Sequence, residues 1–414
     1  LHSTSRRQRQ MCIRDRQLMH TFDESYFDAG LDRRGTRCEK WDGTEKESVL
    51  PLWVADMDFP SPPEVAEAIA VRALHPTYGY TLVLPDDTRA LTGFWQRRHN
   101  LTIQDEWVMM IPCVVTGIRL ALLALTKPGD GVMIQSPVYG PFRFSVEATE
   151  RRLMDAPLKR DDTGRYSMDL DAVEKQLQAG AKALVLCNPH NPVSRAWKRE
   201  ELQALIDLLA RYGAYLIADE IHADFVYAPE QFVPVLSLAQ KNVLSLCAAS
   251  KTFNLAGLEQ AAMLVPDEAV RAKINTEMER AGVRSGNLFA LEGTRAAYEY
   301  GDAWLDGLMR YLDGNRKHLT ALVKQELPQA VLTPMEATYL GWLDLRAYGM
   351  NCEELMARTL KHGVQFTEGT FFGEGGEGFL RVNIGCPRRN ITEGIHRLKE
   401  ALDEAVEEKA HGVD

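Results

Sequence analysis

Residues 242–257 read NVLSLCAASKTFNLAG, an apolar run followed by three small residues and then Lys251. A short run that is apolar without alternation is typical of a strand buried on both faces. The lysine then lies just beyond the carboxyl end of that strand, where open α/β sheets bind their ligands. A single lysine after a strand is more often a surface cation. The neighbouring sequence is therefore needed to distinguish a lysine at a ligand site from a lysine on the surface.

The same pattern recurs from about Val115 to Pro266, where short β-rich runs alternate with amphipathic segments. Residues 199–212 carry leucine and isoleucine at helical spacing, and residues 170–180 end in a glycine. The pattern predicts an α/β fold with a mainly parallel central sheet flanked by helices. We predict its strands within GVMIQSP (131–137), RLMDAPL (152–158), ALVLCNP (183–189), AYLIADEI (214–221), NVLSLCAAS (242–250) and AAMLVP (261–266).

After about residue 290 the pattern changes to long helical stretches and two strand-like runs, which predicts a smaller α+β domain. A chain of 414 residues is long enough for two domains. We assign residues 66–290 to the large domain, and residues 19–65 together with 291–414 to the small one. Residues 1–18 are basic and lack an apolar period, so we expect a non-native or disordered extension there.

The charge balance argues against nucleic acid and membranes as partners. The chain carries 48 basic and 58 acidic residues, a net charge of -10 at pH 7. No apolar run approaches the ~18 residues that a membrane span needs. The seven cysteines are odd in number and form no CxxC pair. We therefore expect neither a disulfide framework nor a metal site, and a cytoplasmic protein.

One glycine-rich pattern is rejected as a cofactor site. The sequence GEGGEG at residues 373–378 matches the dinucleotide pattern GxGxxG, but it contains two glutamates and follows no strand. It leads into the strand-like FLRVN, whereas a phosphate cradle has to open a helix N-terminus. We predict a loop here and no NAD binding.

Chemically useful side chains follow four of the predicted strands. Each has an ordinary structural interpretation: an aspartate can cap a helix, Asn and Pro form turns, and a tyrosine can be part of the core. Together they match the needs of pyridoxal phosphate, which requires a lysine for covalent attachment, an acid at the pyridine nitrogen, a donor at the phenolate oxygen and an aromatic face. The side chains are Tyr139; Asn188, His190 and Asn191; Asp219 and His222; Ser250, Lys251 and Asn254.

From residue 31 onward the chain resembles the fold-type-I pyridoxal-phosphate enzymes of the class I/II aminotransferase superfamily. The resemblance implies the PLP-dependent transferase fold, which is aspartate aminotransferase-like. It assigns covalent attachment to Lys251, the pyridine-nitrogen acid to Asp219 and the phenolate-oxygen donor to Asn191. It further implies that Tyr139 stacks on the ring and that Arg381, in FLRVNI, binds the substrate carboxylate. His222 occupies the position three after the acid.

Several motifs are similar to those of the MalY/PatB group of carbon-sulfur β-lyases. They are WVADMDF (53–59), YGYT (78–81), CNPHNP (187–192), DEIH (219–222) and SKTFNLAGL (250–258). Many aminotransferases bind the phosphate with an arginine where this chain has Glu259. The resemblance instead places the phosphate on the backbone N–H groups of Val114 and Val115 and on the Ser250 hydroxyl, with Tyr80 reaching across a homodimer interface. The chain departs from the group at Cys113 and Ser194, where glycine is usual.

The resemblance implies β-elimination from cysteine S-conjugates such as cystathionine, a small amino-acid substrate, to give a thiol, pyruvate and ammonia. Two alternatives stay open at this point. Transamination between an amino acid and a keto acid shares the early steps, and a regulatory module could bind the cofactor without turnover. The sequence does not identify the thiol-side group of the substrate.

Overall fold

The computed structural model describes residues 21–44, 46–284 and 286–410. The prediction that residues 1–18 are an extension lies outside the described residues. Two sheets organise the described part of the chain, one of seven strands and one of four.

The seven-stranded sheet is mainly parallel, which confirms the predicted α/β class. Six of its strands run in one direction, and Ala261–Leu264 runs antiparallel to both of its neighbours. The side chains of most strands are buried on both faces, as expected when helices cover a parallel sheet. In spatial order the strands are Val108–Ile111, Ala261–Leu264, Val243–Cys247, Tyr215–Asp219, Ala181–Cys187, Gly131–Ile134 and Arg152–Asp155.

Three adjacent strands of this sheet end at one edge. Cys187 pairs with Asp219, and Asp219 pairs with Leu246, so the three carboxyl ends are level. Residues that follow these strands must therefore leave the sheet side by side. This register brings the predicted amide, carboxylate and lysine into one neighbourhood.

Helices pack on this sheet, and several begin at residues whose side chains cap them. Asp169, Asp267 and Asn287 each accept hydrogen bonds from backbone N–H groups in the first turn of their helix. The helices of the described residues are Glu24–Ala29, Glu39–Asp42, Pro63–Ala73, Pro85–His99, Val114–Leu125, Pro141–Ala148, Leu170–Gln178, Arg199–Arg211, Ala249–Thr252, Glu268–Arg280, Leu288–Tyr300, Asp302–Glu326, Cys352–Lys361 and Arg388–Ala410.

The four-stranded sheet is antiparallel and contains the strand that carries Arg381. Its order is Val331–Leu332, Leu340–Asp344, Phe379–Asn383 and Thr367–Glu368. Two shorter pairs complete the strands: Leu50–Pro51 with Val364–Gln365, and Lys159–Arg160 with Tyr166–Ser167. The first of these pairs fastens the N-terminal segment to the C-terminal part of the chain. The predicted domain boundaries stay a prediction.

One strand was not predicted from the sequence, and one predicted loop is present in the structure. The strand Val108–Ile111 was missed, because a four-residue apolar run has no periodicity that separates a strand from a helix. The glycine-rich residues 373–378 form a loop that leads into the strand Phe379–Asn383. The rejection of a dinucleotide cradle there agrees with this geometry.

Within the described ranges, no helix combines the length and the apolar character needed to cross a membrane. The same part of the chain holds no cluster of His, Cys, Asp and Glu side chains suited to a metal ion. Its six cysteines are all free.

The helix Val114–Leu125 packs closely against the sheet at Gly117. A Cβ atom at this position would lie 2.3 Å from Cδ2 of Leu246 and 2.5 Å from Cδ1 of Ile111. Both of those side chains are fully buried, so they have little room to move. The absence of a side chain at residue 117 thus sets the distance between the helix and the sheet.

We expect Gly117→Val to lower the free energy of unfolding by about 1–3 kcal/mol, because overpacking in a filled core is destabilising. The gain in helix propensity from glycine to valine is only a few tenths of a kcal/mol. Urea denaturation measures the change. The control is Gly93→Val, where the nearest atom is the flexible end of Arg97 at 3.4 Å, and we expect a change within about 0.5 kcal/mol there. Equal effects at the two positions would contradict this packing argument.

Candidate active site

A cavity of about 830 Å³ lies at the carboxyl edge of the seven-stranded sheet. It brings together nine of the ten residues predicted from the sequence. They are Val114, Val115, Tyr139, Asn191, Asp219, His222, Ser250, Lys251 and Arg381. Tyr80 is the exception: its side chain is 95% exposed and is not part of the cavity wall.

Lys251 lies in the one-turn helix Ala249–Thr252, directly after the strand Val243–Cys247. Its Nζ donates a hydrogen bond to the carbonyl oxygen of Ala55 at 2.6 Å. Burial lowers the pKa of Lys251 to about 8; Arg381 also lowers it, whereas Asp56 and Asp219 act in the opposite direction. Near neutral pH an appreciable fraction of this amine is therefore unprotonated, as a nucleophile or base requires.

Asp219 ends its strand as a buried carboxylate with few partners. Its Oδ1 accepts a hydrogen bond from the backbone N–H of Ile221 at 3.1 Å. Burial raises the pKa of Asp219 to about 7, and the nearby charge of Lys251 partly opposes this rise. A cationic partner inside the cavity would favour the ionised form of the carboxyl group.

His222 lies in the same wall and is neutral. Burial, together with the charges of Lys251 and Arg381, lowers its pKa to about 3. Its Nδ1 is buried without a hydrogen-bond partner in the described residues. The imidazole can therefore pair with a ligand but cannot supply a positive charge near neutral pH.

Arg381 is a buried guanidinium, 4% exposed, that contacts only neutral groups among the described residues. Its Nη1 donates to Oδ1 of Asn191 at 3.2 Å, and its Nη2 donates to the carbonyl oxygen of Trp53 at 2.8 Å and to the Thr367 hydroxyl at 3.2 Å. Burial lowers its pKa to about 10, so it stays charged at neutral pH. A buried cation without a counter-ion is costly unless a ligand supplies one, which fits an anionic substrate.

Asn191 and Tyr139 complete the centre of the cavity. Because Oδ1 of Asn191 accepts from Arg381, its Nδ2 is oriented as a donor. The ring of Tyr139 is partly buried and lies edge-on to Phe142 and Phe371, at centroid distances of 6.0 and 6.4 Å. One face of a tyrosine held in this way can stack on a planar ligand.

The predicted phosphate end is formed by the first turn of the helix Val114–Leu125. The N–H groups of Val114 and Val115 belong to that turn, where an α-helix leaves backbone donors unpaired. Cys113 has φ -154°, an extended conformation open to any residue, and its Sγ contacts the Thr116 hydroxyl at 3.2 Å. The cysteine in place of glycine thus requires no unusual backbone here.

The second departure, Ser194, does occupy a left-handed conformation, with φ 57°. Its hydroxyl donates to the carbonyl oxygen of Ala337 and lies 3.2 Å from the Thr338 hydroxyl. These bonds, in a fully buried position, favour a conformation that is normally left to glycine.

Two other polar residues at the strand ends, Asn188 and His190, have structural partners. Asn188 donates to Glu220 and to the carbonyl oxygen of Val233. His190 donates from Nε2 to the carbonyl oxygen of Pro137, with its pKa lowered to about 4 by burial. These contacts support the interpretation that Asn188 and His190 stabilise the turn after the strand.

The cavity is closed on one side by residues 53–59, which we call the strap. Asn254 bonds the N–H and C=O of Met57 and the C=O of Phe59. Asn383 donates to the carbonyl oxygens of Val54 and Asp56. The strap is therefore held both by the lysine-bearing loop and by the four-stranded sheet.

The strap and its neighbours add polar groups to the cavity that were not predicted from the sequence. Asp56 lines it, as do Arg33, Arg37 and Glu39. The WVADMDF motif was the available signal, since it holds two aspartates that a strand interior would not favour. Nothing in the local pattern of residues 33–39 indicated a cavity wall.

Pyridoxal phosphate, the cofactor implied by the resemblance, can be tested against these groups. Four buried polar atoms of the cavity wall lack a hydrogen-bond partner in the described residues: Nε of Arg381, Nδ1 of His222, Oδ1 of Asp56 and Oε1 of Gln260. Buried polar atoms are normally paired, so a polar ligand is expected to pair with them. The lysine, the buried carboxylate, the oriented amide donor and the open helix N-terminus match the cofactor's needs. The residues fit it.

Known proteins resemble this chain over nearly its full length. Cystathionine beta-lyase PatB of Bacillus subtilis (strain 168) is 40% identical over 385 residues, which cover 91% of this chain and 99% of PatB. A PLP-bound putative aminotransferase from Clostridium difficile 630 superposes with a TM-score of 0.89 at 34% identity, covering 91% of this chain and 99% of its own. Cystalysin from Treponema denticola, whose crystal structure contains pyridoxal 5'-phosphate, superposes with a TM-score of 0.86 at 30% identity, covering 91% and 98%.

The family profile described as aminotransferase class I and II matches residues 47–398. This match covers the whole seven-stranded sheet, the strap and the strand that carries Arg381. It confirms the resemblance on which the residue assignments rest. The chain belongs to the aminotransferase class I and II family.

Proposed function

We propose that the protein is a pyridoxal-phosphate-dependent carbon-sulfur lyase. It cleaves cysteine S-conjugates such as cystathionine by β-elimination. The observation that carries the proposal is one cavity that contains a buried lysine whose pKa is lowered to about 8, a buried carboxylate and an arginine with no counter-ion among the described residues. The 40% identity to cystathionine beta-lyase PatB favours the lyase reaction over transamination.

When bound, pyridoxal phosphate supplies a ring that accepts the electron pair left at the substrate α-carbon. In our assignment Asp219 keeps the proton on the ring nitrogen, and Nδ2 of Asn191 donates to the phenolate oxygen. Tyr139 stacks on the ring. The N–H groups of Val114 and Val115, with the Ser250 hydroxyl, hold the phosphate.

The remaining residues act on the substrate and on its proton. Arg381 binds the α-carboxylate through two parallel hydrogen bonds and so fixes the orientation of the α-carbon. The Lys251 amine removes the α-proton, and the Ala55 carbonyl holds that amine inside the cavity. Loss of the β-thiolate gives homocysteine and aminoacrylate, and water then hydrolyses the aminoacrylate to pyruvate and ammonia.

A second copy of the chain belongs to this proposal. Residues 74–84 expose several large apolar side chains: Leu74 is 83% exposed, Tyr80 95% and Leu82 78%. An exposed apolar stretch of this kind is typical of a surface that another protein covers. We assign it to a homodimer in which Tyr80 of each copy reaches the phosphate end of the other. The free cysteines favour a reducing, cytoplasmic compartment.

Product analysis tests the reaction. We expect pyruvate and free thiol to appear from L-cystathionine without any keto acid, because elimination needs no amino-group acceptor. Lactate dehydrogenase detects the pyruvate, and a thiol reagent detects the homocysteine. Turnover that requires a keto acid would instead assign transamination, and binding without turnover would assign a regulatory role.

Lys251→Ala tests the attachment of the cofactor. We expect borohydride to fix pyridoxal phosphate permanently to the unmodified protein and not to the variant, because the variant lacks the amine that forms the bond. Intact-mass measurement reads the added mass directly. The control is Lys241→Ala, which removes an exposed lysine and should leave the added mass unchanged. Cofactor fixed to the Lys251 variant would refute the assignment.

The pH dependence of cofactor attachment tests the electrostatics of the cavity. The unprotonated amine is the nucleophile, so the attachment rate should rise with pH and level off above the Lys251 pKa of about 8 rather than its usual 10.5. Arg381 lowers this pKa and Asp56 raises it. Arg381→Ala should therefore move the midpoint to higher pH, and Asp56→Asn should move it to lower pH. Stopped-flow absorbance of protein prepared without cofactor measures both midpoints, and shifts in the same direction would contradict the assignment.

A further inference from the structure

Residues 33 and 36–39 line one side of the cavity. They belong to the segment 33–42, which is fixed by buried charges. Arg33 bonds Oδ2 of Asp56 at 2.8 Å and Oδ1 of Asp58 at 3.1 Å. Lys40, fully buried, donates to Oδ2 of Asp58 at 2.8 Å, and Trp41 donates to Oδ1 of the same carboxylate at 2.8 Å. Breaking a satisfied buried pair of this kind is costly, so the segment is held firmly against the strap.

The bend within this segment is fixed as well. Asp42 accepts hydrogen bonds from the N–H groups of Gly35 and Cys38, at 2.8 and 3.0 Å. Arg37, between them, has φ 64°, a left-handed conformation that is uncommon for a residue other than glycine. Non-glycine residues in such conformations persist where the surrounding contacts impose them, and they are frequent in ligand clamps.

This fixed bend presents two opposite charges to the cavity. Arg37 and Glu39 both line it, both are exposed, and within the described ranges neither side chain forms an ion pair or a hydrogen bond. Glu39 is close enough to Lys251 for its charge to raise the pKa of that amine. The fixed charges around them, Arg33, Lys40 and Asp58, are in contrast all paired.

We propose that Arg37 and Glu39 form a distal subsite for a zwitterion, the ammonium and carboxylate groups at the thiol-side end of the substrate. The inference rests on the proposed function and names the substrate class: thioethers that carry a second amino-acid group, as cystathionine does. Arg37 binds the distal carboxylate and Glu39 binds the distal ammonium group. S-alkyl cysteines lack both groups and gain nothing from this pair.

The position of the pair agrees with this role. Arg381, which binds the α-carboxylate in the proposed function, contacts Trp53 in the strap. The segment of Arg37 and Glu39 contacts the same strap, since Nε1 of Trp53 donates to the Lys40 carbonyl at 3.0 Å. A substrate whose first carboxylate lies on Arg381 can therefore extend along the strap toward this pair. An ordinary solvated pair of surface charges would need neither the fixed bend nor a place in the cavity wall.

The test compares two substrates in the complete holoenzyme, L-cystathionine and S-ethyl-L-cysteine, by pyruvate release. In Arg37→Ala we expect the ratio of their kcat/KM values to fall about five- to tenfold, because the pair is charged and bidentate but open to solvent. The loss should appear in the KM for cystathionine, with kcat unchanged. Glu39→Gln should lower the same ratio, and Arg37→Lys should restore part of it. High salt should lower the ratio in the unmodified enzyme but not in Arg37→Ala.

The matched control is Arg199→Ala, which removes an exposed arginine outside the cavity wall and should leave the ratio unchanged. Turnover of S-ethyl-L-cysteine reports in every variant that the enzyme is folded and loaded. An unchanged ratio in both Arg37→Ala and Glu39→Gln would overturn the subsite while leaving the lyase function intact. Absence of pyruvate from both substrates in the unmodified enzyme would overturn the proposed function, and the subsite with it.

Discussion

The cavity depends on one short irregular segment, the strap of residues 53–59. Its carbonyl groups accept hydrogen bonds from Arg381, Asn383, Lys251 and Asn254, which come from two different parts of the fold. The strap thereby joins the lysine-bearing edge of the seven-stranded sheet to the strand that carries the arginine. Because these donors are buried or partly buried, losing their acceptors would leave them unpaired at considerable cost. The relative placement of Lys251 and Arg381 follows from this one constraint.

The second property of the cavity is that its buried ionisable groups lack complete compensation by opposite charges. Arg381 has no anionic partner in the described residues, the burial of Asp219 is opposed by one backbone hydrogen bond and the nearby Lys251 charge, and His222 is neutral. Folding alone does not favour such an arrangement, since each group is desolvated without full compensation. A ligand with an anionic carboxylate, an anionic phosphate and a cationic ring supplies the missing partners. The affinity for cofactor and substrate therefore draws on charges that the fold leaves uncompensated.

The local sequence pattern was sufficient to predict those site residues that lie at the ends of strands. Lys251, Asp219 and Asn191 follow apolar runs, and parallel strands in register must bring such residues to one edge. Arg381 could be assigned only through the resemblance, because no local pattern links its antiparallel strand to the other sheet. Arg37 and Glu39 were not predicted at all. Their position depends on Arg33, Lys40 and Asp58, contacts between residues that no periodicity relates.

The strap also has a consequence for how the chain is made. The bond from Lys251 to Ala55 spans 196 residues, and the bond from Arg381 to Trp53 spans 328. Contacts of such long range form late, because a long loop has to close first. On the ribosome the seven-stranded sheet can assemble while Arg381 is still unsynthesised. A nascent chain therefore has the side chains that we assign to the cofactor before it has the arginine that we assign to the substrate, and the carboxylate-binding end of the pocket becomes one of the last parts to mature.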